Sequence, residues 1–544
     1  MDLPLPALPL DASACYSALQ AHDARFDGAF FTGVTSTGIY CRPVCRAKTP
    51  RRENCRFFSH AAQAESAGFR PCLRCRPELA PQALTWSAQD ASALLAQHAA
   101  RLLDTPDAWG DEAPSVSGLA ARLGVSDRHL RRVFEAELGV SPLAWLQTRR
   151  LLAAKQLLTD TRLPITQVAM AAGFASLRRF NAAFAQHYGL SPTALRREGS
   201  HHAAPGAVTV TLGFRPPYDA AALLRFFAQR AISGMEHVDI AAGTLVRTLR
   251  VGDTAGWVAC TFDEAASHVH VHVQVAEALV AQLPRVMVRV RAWLDLDADP
   301  VAIDAMLGRD FPGSAGLRVP GTLDGFELAV RAVLGQQITV AAARTLGQRL
   351  VDTFGESLAS GNPSASAVHA VSVSAPSPAR TPARATALTD PAQSNNRPPL
   401  PDELNRLFPT PATLASASGH ALGQLGIVRQ RQAALQALAH AVNSGALALH
   451  PGADVPATLS ALTALPGIGD WTAQYIALRA LRWPDAFPAG DVALHTALGV
   501  RDQPRPAQVA AALAERWRPW RGYAVLRAWQ GATASSTRKQ LSTP

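Results

Sequence analysis

A chain of 544 residues is too long for one hydrophobic core, and roughly three to five domains are expected. Its 52 Lys/Arg outnumber 42 Asp/Glu, a formal charge of +10 that calls for a polyanionic partner without separating nucleic acid from anionic lipid. No run of about 18 apolar residues exists, which excludes a spanning helix, and the start MDLPLPALPL carries Asp2 and no basic flank, unlike a secretory signal. The expected location is therefore the reducing cytoplasm of a cell without a nucleus.

In residues 1–82, GIYCRPVCRAK and GFRPCLRC place Cys41 with Cys45 and Cys72 with Cys75, with 26 residues between the pairs. Two close cysteine pairs in a reducing compartment read as a tetrahedral Zn²⁺ site, whereas a disulfide framework needs an oxidising one. Cys55 lies outside the pairs and reads as a half-buried structural thiol. Through GIYCRP, the RREN run and GFRPC, the segment resembles the N-terminal zinc domain of the Ada adaptive-response family. The resemblance implies that Cys41 is both a ligand and the acceptor of a methyl group from a DNA phosphotriester. Four thiolates around Zn²⁺ carry a formal −2 that repels phosphate; methylating one leaves −1. Affinity for DNA then rises, so the domain is expected to act as a damage-triggered switch.

Residues 88–198 read as helical and contain an approximate repeat. A small-residue helix and a glycine turn (Gly124, Gly173) precede a basic helix, and Gly-Val-Ser-Pro or Gly-Leu-Ser-Pro follows. The repeat argues for two helix-turn-helix units. Ser126 and Ser176 read as N-caps of the basic helices, which offer Arg128, Arg131 and Arg132 in the first and Arg178, Arg179 and Asn181 in the second. Phe134, Leu138, Phe180 and Phe184 read as core. The region resembles the AraC-type DNA-binding domain. Its expected partners are promoter DNA and, for an activator, RNA polymerase; residues 1–200 carry 23 Lys/Arg against 17 Asp/Glu, in keeping with DNA.

From 205 to 315 the period changes to two. VTVTLGF, LVRTLRVG, WVACTF and HVHVHVQV read as strands of an antiparallel sheet, interrupted by a helix near Asp219 to Ala231. His268, His270 and His272 share one strand face, with no fourth ligand evident, and read as a solvated face rather than a metal site. FRPPYDAAALLRFFAQRAISGMEHV resembles the N-terminal sheet domain of the AlkA family of 3-methyladenine glycosylases.

Residues 316–530 read as an all-α body whose first helix is capped by Asp324. A Ser/Ala/Pro-rich stretch at about 355–401 reads as a disordered insertion, and 531–544 as a tail. Within LTALPGIGDWTAQYIALRALRWPDAFPAGDVALH, Pro466 should close one helix, and Gly467 and Gly469 supply the turn to a second whose N-terminus suits a phosphate. The segment resembles the helix-hairpin-helix of base-excision glycosylases. That resemblance puts Asp491 at the catalytic aspartate, on a loop after the second hairpin helix, and Trp471, Tyr475 and Trp529 in an aromatic base pocket. It places the wedge that fills the gap left by a flipped base on Gln337. Asp470 departs from the pattern by setting a negative charge beside the phosphate turn.

Lysine occurs only at Lys48, Lys155 and Lys539, so the Schiff-base chemistry of strand-cutting relatives is not expected and the enzyme should leave an abasic site. No cysteine follows Cys260, so neither an iron–sulfur cluster nor a methylguanine-accepting site is expected. The expected whole is a multidomain, mainly α protein with an α+β segment. It would be a monomer, cytoplasmic and nucleoid-associated in a bacterium, sensing DNA alkylation and excising alkylated bases with Zn²⁺ as its one cofactor. The alternative is a regulator whose C-terminal half binds alkylated double-stranded DNA without cutting it.

Overall fold

A computed structural model describes residues 11–81, 91–110, 112–198, 207–262, 269–358 and 404–541. The first unit has a helix α1 (Ala12–Gln20) and strands β1 (Phe31–Val34), β2 (Ile39–Cys41) and β3 (Cys55–Phe58). A helix α2 (Ala61–Ser66) and a short β4 (Arg70–Pro71) complete a sheet ordered β3-β1-β2-β4. Its apolar burial is divided between two small clusters, Phe31, Tyr40, Ala64 and Phe69 in one and Cys15, Ala18 and Phe30 in the other. So little apolar burial is meagre stabilisation for a unit this size, which is why a metal centre matters here.

Seven helices follow: α3 (Ala91–Asp104), α4 (Val116–Arg122), α5 (Asp127–Leu138), α6 (Pro142–Asp160), α7 (Ile165–Ala171), α8 (Leu177–Tyr188) and α9 (Pro192–Glu198). Ser126 accepts the His129 N–H and Ser176 the Arg179 N–H, so both expected caps start the basic helices. Gly139 and Gly189, both at φ 69°, end them. Phe134, Leu138, Phe180 and Phe184 are buried, as expected.

The third unit is an antiparallel sheet ordered β5-β9-β8-β7-β6, from β5 (Ala207–Gly213), β6 (Glu236–Asp239), β7 (Thr244–Val251), β8 (Thr254–Phe262) and β9 (His270–Ala276). Helices α10 (Ala220–Ala228), α11 (Leu283–Trp293) and α12 (Pro300–Leu307) accompany it. The sequence division at 198/205 cuts through one core: Leu151, Val168, Phe180 and Phe184 pack in the same cluster as Val210, Val258 and Val273. Arg215, 2% exposed, fastens the first unit to the third by donating from Nε to the Asp27 carbonyl (2.7 Å) and from Nη1 to the Asp297 carbonyl (2.9 Å).

The remaining helices are α13 (Gly325–Leu334), α14 (Val340–Phe354), α15 (Pro411–Ser416), α16 (Gly419–Gln424), α17 (Arg429–Asn443) and α18 (Val455–Thr463). After them come α19 (Asp470–Arg479), α20 (Val492–Ala497), α21 (Pro506–Ala514) and α22 (Arg521–Leu541). α19 lies between two cores, giving Ala473 and Ile476 to one and Ala477 and Leu478 to the other. Burial on two sides explains why its apolar residues do not keep to one stripe.

Two expectations need correction at their edges. Residues 355–358, assigned to a disordered insertion, are hydrogen-bonded to the returning chain: Ser357 bridges Arg406, and the Leu358 N–H donates to the Asn405 carbonyl at 2.7 Å. The rest of that insertion lies outside the described residues. The stretch from 531, expected as a tail, continues α22 to Leu541.

Candidate functional site

Asp491 is only 9% exposed and is not on a free loop. It is the N-cap of α20, its Oδ1 accepting the Leu494 N–H at 2.6 Å. Two indoles converge on the same carboxylate: Trp471 Nε1 donates to Oδ2 at 2.7 Å and Trp529 Nε1 to Oδ1 at 3.0 Å. Three donors at the N-terminus of α20 hold the carboxylate in a fixed orientation. The segment that carries it is pinned from both sides, as the Phe487 N–H donates to Gln474 Oε1 (3.1 Å) and His495 Nε2 lies 2.6 Å from the Ala489 carbonyl.

The three expected aromatic residues come together around this carboxylate. Trp471 and Tyr475 stack at 5.3 Å with 9° between planes, and the Trp529 ring stands 6.3 Å from Tyr475 at 46°. One helical turn separates Trp471 from Tyr475, so α19 itself aligns the two faces. All three rings are half-buried. Arg479, which the sequence did not single out, donates from Nη1 to Tyr475 Oη at 2.5 Å and from Nε to the Pro320 carbonyl at 2.7 Å. Burial pushes the Tyr475 hydroxyl up, but the Arg479 and Arg230 cations outweigh it and hold its pKa below the ordinary tyrosine value. Electron-rich faces beside a carboxylate make a site for a cationic ring attached to a sugar.

Around the hairpin, Gly467 has φ 74° and Gly469 is the exposed N-cap of α19. The first amides of α19 lack intrahelical acceptors, as a phosphate site requires. Asp470 sits at the first helical position, where a negative charge complements the helix dipole and stabilises α19 itself. Gln337 is exposed with φ 56°, a left-handed conformation uncommon for a residue with a side chain.

Among the described residues, the metal-ligand cluster is Cys41, Cys45, Cys72 and Cys75, whose sulfurs all lie within 4.8 Å of one another. Parallel pairing of β2 with β4 and the bond from the Cys72 N–H to the Tyr40 carbonyl (2.9 Å) bring the two pairs together. Four sulfurs at the corners of a tetrahedron with Zn–S near 2.3 Å would stand about 3.8 Å apart, so the set suits Zn²⁺. Cys45 and Cys72 are buried, whereas Cys41 and Cys75 are partly accessible. The Arg42 N–H donates to Cys75 Sγ at 3.4 Å, and its guanidinium holds Asp27 and the Cys75 carbonyl. In the shared hydrogen bonding of the thiols, contact with Cys41 lowers Cys45 to about 7, and contact with Cys45 raises Cys41. Cys55 is buried and donates to the Arg51 carbonyl at 3.3 Å, as a structural thiol would. His270 and His272 join no metal cluster among the described residues, and His268 lies outside them.

On the helix-turn-helix units Arg128, Arg131, Arg132, Arg178, Arg179 and Asn181 are all exposed. The first unit braces the far ends of both basic helices: Gln63 Nε2 donates to the Leu138 carbonyl of α5 (3.0 Å) and Arg70 Nη1 to the Tyr188 carbonyl of α8 (3.1 Å). Glu65 accepts from Tyr40 Oη at 2.8 Å and lies 2.9 Å from His187 Nε2. A cavity of about 720 Å³ opens where these units meet the sheet, lined by His60, Trp145 and Met287 among others. Asp491 is not among the residues that line it.

Four family models match in order: the metal binding domain of Ada over residues 14–78, a helix-turn-helix domain over 119–198, the AlkA N-terminal domain over 209–324, and the HhH-GPD superfamily base excision DNA repair protein over 330–519. The chain is 37% identical over 537 residues to the "Probable bifunctional transcriptional activator/DNA repair enzyme AlkA" of Mycobacterium tuberculosis H37Rv, covering 95% of this chain and 96% of that protein. It is 33% identical over 319 residues to "DNA-3-methyladenine glycosylase 2" of Escherichia coli K12, covering 59% and 96%. Against the "Bifunctional transcriptional activator/DNA repair enzyme Ada" of the same organism it is 40% identical over 136 residues, covering 25% and 35%. The chain therefore belongs to the family of bifunctional transcriptional activator/DNA repair enzymes that join an Ada-type zinc and helix-turn-helix front to an AlkA-type helix-hairpin-helix glycosylase body.

Proposed function

We propose that the C-terminal half excises alkylated bases of the 3-methyladenine type by hydrolysis at Asp491, leaving an abasic site. The observation that carries this reading is the carboxylate held between Trp471 and Trp529 at 2.7 and 3.0 Å. A base turned out of the duplex would enter beside Trp471, Tyr475 and Trp529, where a cationic purine meets π faces. As its glycosidic bond breaks, positive charge grows on the sugar and Asp491 opposes it, or orients the attacking water. A positively charged base is already a good leaving group, so modest help suffices and a range of alkylated bases is accommodated. A carboxylate so placed favours catalysis over a regulator that only binds damage.

In the front half, Cys41 takes the methyl group. The residue is partly accessible at the end of β2, while Cys45 and Cys72 are buried. Cys75 shares that accessibility but accepts the Arg42 N–H, which makes it the poorer nucleophile. Zn²⁺ held by Cys41, Cys45, Cys72 and Cys75 would keep their sulfurs as thiolates at neutral pH. The S–C bond forms as the phosphotriester C–O bond breaks, leaving an ordinary phosphodiester and a less negative centre. Arg128, Arg131, Arg132, Arg178, Arg179 and Asn181 then engage promoter DNA more tightly, and the protein acts as a monomer that recruits RNA polymerase in a bacterial cytoplasm, associated with the nucleoid. Among the described residues no helix is long and apolar enough to cross a membrane.

Incubation with methylated duplex DNA, followed by chromatography of released bases and gel analysis of the strands, tests the enzymatic reading. Release of 3-methyladenine with strands intact until alkali treatment supports it; strand scission without alkali, or no released base, contradicts it.

A further inference from the structure

The geometry points to Gln336 as a positioning residue that sets the wedge at a fixed distance from the phosphate-gripping hairpin. This inference rests on the reading of Gln337 as the wedge. The five residues Gly335–Thr339 join α13 to α14, and Thr339 caps α14 through the Ala342 N–H at 3.2 Å. At the crest of this connection Gln337 is exposed and left-handed, the conformation that an extended loop with a free tip would not keep unaided.

Its neighbour turns the other way. The Gln336 amide donates from Nε2 to the Gly467 carbonyl at 2.9 Å and to Thr472 Oγ1 at 2.9 Å. One group thus touches both the hairpin turn and the first turn of α19. From a third direction Arg431, on α17, donates to the Gln336 main-chain carbonyl. The hairpin itself rests on α17, since a Cβ built at Gly467 would stand 3.1 Å from Ala434 Cβ. Wedge loop, hairpin and α17 therefore form one hydrogen-bonded corner in which Gln336 is the shared member.

Such a corner serves a mechanical need. Turning a paired base out of the stack requires that the wedge enter the duplex at a set place relative to the phosphates held by the hairpin. A displacement of about 1 Å between two such elements is enough to cost much of the rate. A lesion with no base opposite has no pair to break, so it depends less on the wedge. Gln336 acts on the paired substrate through Gln337 and touches neither sugar nor base.

The test compares single-turnover excision of the same lesion placed opposite thymine and opposite an abasic site, with the full-length zinc-loaded protein. For Gln336→Met, which keeps the volume and removes both hydrogen bonds, the paired-to-unpaired rate ratio should fall about tenfold. Arg431→Met, which leaves the Gln336 side chain intact, should lower the ratio in the same direction. Gln337→Gly, which accepts φ 56° without strain, is the control for the wedge itself. A lower ratio in Gln337→Gly with an unchanged ratio in both Gln336→Met and Arg431→Met overturns the positioning role. An unchanged ratio in Gln337→Gly removes the wedge reading and the inference with it. A general folding defect lowers both rates together and leaves the ratio alone, which also counts against the proposal.

Discussion

Asp491 holds its place because two indoles and a backbone amide share its two oxygens, and each of those donors has a separable effect. Trp471→Phe keeps an aromatic face for the base and loses only the N–H. Single-turnover base release should fall about tenfold to a hundredfold, the range for a hydrogen bond to a charged acceptor, with substrate affinity little altered. Loss of affinity with an unchanged rate would show that Trp471 serves stacking alone. At this scale the sequence disclosed which residues gather at one carboxylate, because Asp491, Trp471 and Tyr475 stand at spacings of a recognisable motif. It did not disclose their supports. Arg479 was hidden because its partners Pro320 and Gly321 lie 159 and 158 positions away. Arg42 was hidden because a buried arginine has the same letter as a surface one.

Among the elements, the hairpin shows why two glycines are needed for different reasons. Gly467 combines φ 74° with close approach to Ala434 and the Gln430 carbonyl, whereas a Cβ at Gly469 would meet nothing within 4 Å. Gly467→Ala should therefore cost roughly 1–3 kcal/mol in stability and weaken binding to abasic-site DNA, while Gly469→Ala should leave stability within about 1 kcal/mol. Calorimetry and fluorescence anisotropy at fixed salt check this; equal losses for both would place the constraint elsewhere. The caps at Ser126, Ser176 and Asp324 were legible, since a side chain that satisfies a helix end needs no distant partner. β6 was missed because four residues with alternate exposure, Glu-His-Val-Asp, carry too few apolar positions to stand out. Nothing local in the sequence marks Asp491 as a cap rather than a loop residue, because a single N-cap before a helix of six residues is a weak signal.

For the whole molecule, division into units was legible but their packing was not. Period and composition mark where a helix becomes a strand; they leave open what each apolar face lies against. Hence Phe180 and Val273 in one core came as a finding. The joint between zinc unit and helix-turn-helix has a pH signature. His60 lies with its ring 5.0 Å from that of Trp145, and burial pushes its imidazole down to about 4. The folded state then binds fewer protons than the unfolded one, so stability is full above about pH 6.5 and declines as pH falls toward 4, by up to about 1.4 kcal/mol per unit. His60→Phe should melt with a shallower dependence than the wild type between pH 6.5 and 5. Identical slopes would show that the imidazole is not withdrawn from water in solution.

The proposed activity depends on the Asp491 carboxylate, rather than pocket shape alone, breaking the glycosidic bond. The direct measurement is the single-turnover rate of 3-methyladenine release from methylated duplex DNA by the wild type and by Asp491→Asn, with binding to an abasic-site duplex measured in parallel. The rate should fall at least about a hundredfold in the asparagine variant while that binding is retained. Equal release by the two proteins would contradict it.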